Sequence, residues 1–457
     1  MRMQKLLRKA AEMKDIYLIN YAVKGIKNLE DWAELSFYNK TIRKPFSIRK
    51  FNVKGIYGTN GAGKSGIIRS AEILKHLLID PYFLNDSYVQ RLLNDLVNKK
   101  TEALSIRTDF LRCDDKSMRL YHYEITIERN HLDTYVITSE TLSVKNALSS
   151  RSPEKELFHT SHGVLTIPAD NNERIIDQTK NLLSNASLLA VLMSSRDLEQ
   201  PNENNGLRED LNSLLHFALS IFVFMDSGDD HRMFYVDESL SGADNDEIYK
   251  LNVSRRAERM SGRILSAFSA DKLTVKKEQY SLFEKRVSKL SNFIQIFKAD
   301  LKEIVINKKE DEDCYICSLV MKYDDYSIDA EFESTGIKKL IRLFDYFDKM
   351  ANGGIVFIDE LDSNLHDVYL CALLEFLMDN AKGQLCFTTH NIGPMDVLKK
   401  DKKSIDFLSA DHKIYSWTSN GNYSPSSLYK NGMIEGSAFN VFSFDFLSAF
   451  HSSEDDE

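Results

Sequence analysis

Several things are scarce in this sequence, and each scarcity excludes something. Five cysteines in 457 residues, odd in number and scattered, give no basis for a disulfide framework and fit a reducing compartment. Long apolar runs are missing: the longest, LHFALSIFVFM at 215–225, is too short to cross a bilayer and reads as buried helix or strand. Positive charge is in deficit, with 59 Lys and Arg against 68 Asp and Glu and a net charge of −9. That balance argues against a protein that coats nucleic acid over its whole surface. The opening MRMQKLLRKAAEMK is basic but lacks the apolar stretch and small-residue cleavage site of a secretory signal, so a cytoplasmic protein without membrane contact is expected. Cys314 and Cys317 form the one close cysteine pair, but no second pair or histidine cluster follows, and the surrounding YICSLVMKYDDYSIDAEF reads as strand rather than half a zinc site.

What is present begins with an ordinary globular composition, 43% apolar and 28% charged, long enough for two or three folding units. One local exception to the negative charge stands out: Lys40, Arg43, Lys44, Arg49, Lys50 and Lys54 occur with no acid among them. Immediately after this run comes GTNGAGKS at 58–65, which satisfies G-x-x-x-x-G-K-[ST]. FNVKGIY before it suits a strand and SGIIRSAEILKHLLI after it suits a helix, the context a phosphate-binding loop needs. In such a loop, backbone N–H groups curl around phosphate oxygens, Lys64 reaches the β- and γ-phosphates, and the Ser65 hydroxyl serves Mg²⁺. The candidate ATP contacts are therefore Gly58, Asn60, Gly61, Gly63, Lys64 and Ser65. A Gly-rich helix-capping turn is the plain alternative.

The periodicities divide the chain. Residues 1–14 form a basic segment, and 15–170 form an N-terminal lobe of short strands around the phosphate loop. Within it LSIRTDFLR, LYHYEITIER and TYVITSETLSV predict an antiparallel β layer. The stretch 171–310 reads as a helical insertion, 311–450 as a second lobe in which strands return, and 451–457 as an acidic, disordered tail. Tyr280, Phe283, Val287, Leu290, Ile294, Phe297, Leu301 and Ile304 alternate spacings of three and four. That pattern predicts either a helix packed on its own domain or a short coiled-coil seam.

Chemistry concentrates in the last lobe. GGIVFIDE ends an apolar strand in Asp359 and Glu360, and ligands of open parallel sheets bind beyond strand C-termini, so both carboxylates are expected to face the phosphates. Asp359 is expected to hold Mg²⁺ and Glu360 to take a proton from, or orient, the attacking water. QLCFTTHN ends a second such strand at His390, placed to bond the γ-phosphate or that water. ESTGIKKL sets Ser334, Thr335 and Gly336 at a helix start, where hydroxyl and N–H groups meet an anion or merely cap the helix.

GTNGAGKS, ESTGIKKL, FIDELDSNLH and TTHN, in that order, resemble the ATP-binding-cassette class of ATPases. More narrowly the chain looks like the soluble branch with RecF, SMC-type proteins, OLD nucleases, and the phage-defence ATPases of AbiL, Septu and PARIS systems. The resemblance covers 15–170 and 311–450 and implies an α/β ABC-type head with an antiparallel β layer and an inserted helical domain. It implies two heads that sandwich ATP, with Ser334 and Gly336 of one against the nucleotide held by Lys64 of the other, in a homodimer or higher oligomer. Asp362 falls where the class has a loop coupling the two sites. Two departures matter: STGIK replaces the transporter signature LSGGQ, and only Gln90 offers itself for the glutamine loop that senses Mg²⁺. About 295 residues separate Lys64 from Asp359, leaving room for an insertion.

The implied function is ATP hydrolysis that controls a separate effector in antiviral defence, with nucleic acid or a phage protein as trigger. No nuclease is expected within the chain, since its C-terminal stretch is too short for a Toprim domain and lacks its acidic clusters, and no H-N-H constellation occurs. A nuclease effector would therefore be another protein. The rival class is a repair or chromosome-maintenance ATPase that clamps DNA directly; a transporter ATPase ranks last for want of its signature.

Overall fold

The computed structural model describes residues 16–114, 117–149, 151–169, 172–194, 205–225, 268–270, 272–311, 314–401, 403–409, 411–418 and 423–434. The basic segment 1–14 and the acidic tail lie outside them. The described chain opens with β1 (Ile16–Lys24), β2 (Ala33–Ser36), β3 (Val53–Gly58), α1 (Lys64–Ile79) and α2 (Ser87–Leu96). Long strands β4 (Ala103–Cys113), β5 (Met118–Arg129) and β6 (Tyr135–Asn146) follow, then β7 (Lys155–Ser161) and β8 (Val164–Thr166). Together with β1 and β2 they form a seven-stranded antiparallel sheet, order β2-β1-β4-β5-β6-β7-β8. The alternating burial of β4 and β5 shows why: one face meets the core and the other meets water.

The next elements are α3 (Glu173–Thr179), α4 (Leu188–Ser194), α5 (Asn205–Ser220), β9 (Ile221–Phe224), β10 (Leu273–Lys276), α6 (Tyr280–Phe297) and β11 (Glu303–Asp311). Thus 171–310, expected to be helical, also carries strands. The apolar run 215–225 is both of its expected alternatives in succession, the end of α5 and then β9. It is β9 that pairs in parallel with the strand ending at Ile358, so this stretch supplies an edge of the central sheet.

The remainder comprises β12 (Cys314–Lys322), β13 (Ser327–Asp329), α7 (Thr335–Ala351), β14 (Ile355–Ile358), α8 (Asp367–Asn380), β15 (Gln384–Thr388), α9 (Gly393–Leu398), β16 (Ile405–Leu408), β17 (Ile414–Ser416) and α10 (Pro425–Lys430). The central six-stranded sheet has the order β17-β16-β3-β15-β14-β9. All its pairs are parallel except β16 with β17, and β3, β14 and β15 are buried throughout. Burial on both faces explains their unbroken apolar runs. The α/β class with an antiparallel layer expected from the sequence is present.

One core lies between the two large sheets around α1, and a second covers the other face of the central sheet with α7, α8 and α9. A third joins α6 and α7 to the small sheet of β10, β11, β12 and β13. Here the periodic apolar seam finds its partner. Phe283, Val287, Leu290 and Ile294 of α6 are buried within the chain's own core, so the plainer alternative holds and the coiled coil does not. Leu301 and Ile304 lie past the helix, Ile304 in β11. Cys314 and Cys317 sit on β12 as expected, and no metal-holding group of His, Cys, Asp or Glu occurs among the described residues.

Inside the antiparallel lobe the fully buried Glu140 accepts from Tyr123 Oη (2.9 Å) and from the Leu188 backbone N–H (2.9 Å). Burial pushes its carboxyl up to about 7, against these two hydrogen bonds. Below the ordinary carboxylate range the group is neutral in both folded and unfolded chains. As pH rises from there to neutrality only the unfolded chain ionises freely, so stability is lost over that window, by roughly 3 kcal/mol. Urea unfolding at pH 5 and pH 8 should show this loss in the native chain and a smaller one in Glu140→Gln; equal losses would exclude Glu140 as the source.

Candidate nucleotide-binding site

The central sheet sets β15 between β3 and β14, so the three loops leaving their C-terminal ends share one edge. From β3 comes GTNGAGKS. Its Gly63 adopts φ 107°, a conformation L side chains rarely take, and hands the chain directly into α1 at Lys64. Asn28 Nδ2 donates to the Gly61 carbonyl, and His412 Nδ1 lies 3.2 Å from the Ala62 carbonyl, so the loop is braced from two sides. Neither brace belongs to a recognisable motif.

Lys64 is buried, and its ammonium donates to the carbonyls of Gly58 (2.9 Å) and Thr59 (3.0 Å). Desolvation pulls it down to about 8, while Asp359, Glu360 and Asp362 act in the opposite direction. Those three acids are therefore within electrostatic reach of the phosphate-loop lysine. His390, at the rim, is held below its ordinary value by partial desolvation and by Lys64, opposed by Asp362 and Asp359. The shift favours the neutral imidazole. Asp362, whose place in the motif order suggested a coupling loop, thus also faces its own site.

One hydroxyl organises the acids. Thr388 Oγ1 donates to Asp359 Oδ1 (2.5 Å) and accepts from the Glu360 N–H (2.8 Å). Asp359 is 1% exposed, and its Oδ2, like Asp362 Oδ1, is a buried acceptor without a hydrogen-bond partner among the described residues. A carboxylate left so in a buried place calls for a cation or an ordered water. Ser65 and Asp359 thus fit the expected Mg²⁺ pair, the hydroxyl at the start of α1 and the orphaned acceptor at the end of β14. Glu360 follows with φ 46°, a left-handed value that is costly for a side chain with Cβ and marks a position held by its surroundings.

The Ser334 and Gly336 turn behaves locally as its plain alternative. Ser334 is the N-cap of α7, its hydroxyl accepting from the Ile337 N–H at 3.4 Å. Among the described residues no hydrogen bond joins this turn to the phosphate loop of the same chain. Its contacts run to the loop after β14: a Cβ on Gly336 would lie 2.5 Å from the Asn364 carbonyl, so only glycine allows that approach. Gln90 is excluded as a glutamine loop. Its amide donates to the carbonyls of Leu84 (2.6 Å) and Tyr135 (3.0 Å) and accepts from the Tyr135 N–H (2.7 Å), tying α2 to β6. The basic run divides: Lys40, Arg43, Lys44, Arg49 and Lys50 are exposed, but Lys54 is buried in an ion pair with Asp406 at 2.7 Å. No described helix is long and apolar enough to cross a membrane.

A protein-family model described as "AAA domain, putative AbiEii toxin, Type IV TA system" matches residues 54–396. The chain belongs to this family. The AAA domain so defined runs from within β3, through the phosphate loop, to α9, and contains every site residue named above except His412 and Asn28. No curated protein matches the chain. Two solved structures of the recombination mediator protein RecF in the RecFOR pathway are similar at low level. The ATPrS form has 12% identity and a TM-score of 0.38 over 89% of this chain and 100% of that one. The ATP form has 14% and 0.34, over 82% and 93%.

Because Lys64 sits near 8 without nucleotide and an added polyphosphate favours its charged form, binding above that pH must take up a proton. ATP affinity should be level between pH 7 and 7.5 and fall by up to about tenfold per unit beyond pH 8, measured by equilibrium titration. Lys64→Ala should abolish binding at every pH. A native affinity flat to pH 9 would remove the proposed coupling.

Proposed function

We propose that the chain is an ATP hydrolase whose heads pair around nucleotide and whose nucleotide state controls a separate effector, a nuclease in antiviral defence. The observation that carries the hydrolase reading is the convergence of Lys64, Asp359, Glu360, Asp362 and His390 at the ends of three adjacent strands. Gly58, Asn60, Gly61 and Gly63 would cradle the phosphates with backbone N–H groups, and Lys64 would leave the Gly58 and Thr59 carbonyls for the β- and γ-oxygens. Mg²⁺, held by Ser65 and, through water, Asp359, would neutralise charge on the β- and γ-phosphates.

Glu360 takes the proton of the attacking water as its oxygen bonds to the γ-phosphorus and the bond to the bridging oxygen of ADP breaks. His390, neutral and carrying one N–H, donates to the γ-phosphate or orients that water. Among the described residues Ser334 and Gly336 make no hydrogen bond to the phosphate loop of their own chain, which supports their acting on a partner head. The exposed turn at the start of α7 offers the hydroxyl and N–H groups for that contact. The family description, with its toxin of a type IV toxin-antitoxin system, and the motif order support the defence role.

A second reading, a head that clamps DNA directly, is favoured by the exposed cations Lys40, Arg43, Lys44, Arg49 and Lys50 in a chain of net charge −9. Glu360→Gln discriminates among these. Turnover should fall roughly 10²- to 10⁴-fold while ATP binding persists, and ATP-bound assemblies should accumulate on a sizing column. Wild-type turnover would refute the role of Glu360. Capture of the trapped protein from its host with a stoichiometric acidic partner supports the effector reading; DNA alone, released by moderate salt, supports the clamp.

A further inference from the structure

Lys339 lies in the first turns of α7, three residues past Gly336, and is 3% exposed. A lysine is seldom buried so fully unless its ammonium is bound. Its Nζ donates to the Glu360 backbone carbonyl at 2.5 Å and to Ser363 Oγ. The same carbonyl accepts from the Ser363 N–H at 3.1 Å, and Leu365 N–H closes the next turn on the Asp362 carbonyl at 3.0 Å. At its other end the Glu360 residue is held by the Thr388 hydroxyl. Both backbone polar groups of Glu360 are thus fixed from outside, which is what sustains its φ of 46°. Gly336 abuts the Asn364 carbonyl, and Thr335 Oγ1 lies 3.4 Å from Asn364 Oδ1. So two features of α7, the Lys339 ammonium and the bare face of Gly336, grip one loop, Glu360 to Leu365.

We infer that Lys339 is a positioning residue for Glu360: it clamps the start of α7 to the loop that carries the acid, so that displacement of the Ser334–Gly336 turn moves the acid of the same chain. The inference rests on the reading of Glu360 as the group that takes the water's proton. It adds that Glu360 is competent only while its carbonyl is held from α7. Such a clamp acts on geometry at the reacting centre and leaves the phosphate loop untouched, so its loss belongs to turnover rather than to affinity.

The test is Lys339→Met, which keeps the length of the side chain and removes the donor. ATP affinity, read by equilibrium titration, should stay within about threefold and kcat should fall roughly 10- to 100-fold. Amide hydrogen exchange at Ser363 and Leu365 should accelerate, a readout that needs no turnover. Ser363→Ala should act in the same direction more weakly, with the double variant falling short of the product of the two. Native kcat in Lys339→Met, or unchanged exchange in that loop, would overturn the clamp. If Lys339→Met does not fold, Ser363→Ala decides alone, native kcat and exchange again overturning it. Glu360→Gln run alongside separates the two failures: wild-type turnover there refutes the role of the acid, while the exchange measurement still judges the clamp.

Discussion

The structure depends on the burial of α1. Of its sixteen residues all but Ser65 and Glu72 are buried, because the helix runs between the antiparallel sheet and the central parallel sheet. A helix so enclosed must satisfy its polar side chains within the protein. Ser70 pairs with Tyr21 Oη of β1 at 2.7 Å, Lys75 donates to the Ile221 carbonyl of β9 at 2.7 Å, and Arg69 pairs with Glu72 at 2.6 Å. The first two bonds tie the helix to a strand of each sheet. Gln384 of β15 adds a direct tie between the sheets, exchanging bonds of 2.7 and 2.8 Å with the Leu18 backbone. The N-terminus that presents Lys64 and Ser65 is therefore set by the relation of both sheets rather than by the loop alone.

The acids at the other side of the site are ordered by a smaller device. Thr388 ends β15, between the phosphate-loop strand and the strand of Asp359, and its hydroxyl touches the side chain of one acid and the backbone of the next. Accepting that bond leaves Asp359 Oδ1 engaged, while Oδ2 has no hydrogen-bond partner among the described residues. Lys64, in turn, is discharged more easily by desolvation than the three nearby acids can prevent. Phosphate oxygens bound beside it would favour the charged form of Lys64.

Motifs with fixed spacing were legible in the sequence because the chemistry demands particular residues in particular order. GTNGAGKS, Asp359, Glu360 and His390 were found that way, and the parallel strands behind them by their apolar runs. What was not legible depends on contacts distant in sequence. Asn28 reaches Gly61 from 33 residues away, and Lys339 reaches the Glu360 carbonyl from 21 residues away. The run 215–225 gave only apolarity, which a helix end and a buried strand share, so its division at Ser220 was hidden. The seam from Tyr280 was periodic for a real helix, but periodicity cannot say whether the covering surface is another chain or, as here, the small sheet and α7. Gln90 was suggested by residue type alone, and its amide proved to be spent on backbone groups.

The paired arrangement proposed above gives the grip of α7 on the Glu360 loop a consequence for cooperativity. The start of α7 would read the nucleotide of the partner head, while Lys339 and Gly336 bind that same start to the acid serving the nucleotide of its own head. Each site's acid would then be fixed to the element that senses the other site. Such a link acts on turnover, because the clamp sets the geometry of the acid and leaves the phosphate loop untouched. Under the proposed pairing, hydrolysis at one site would then depend on how the nucleotide of the other site holds the start of α7.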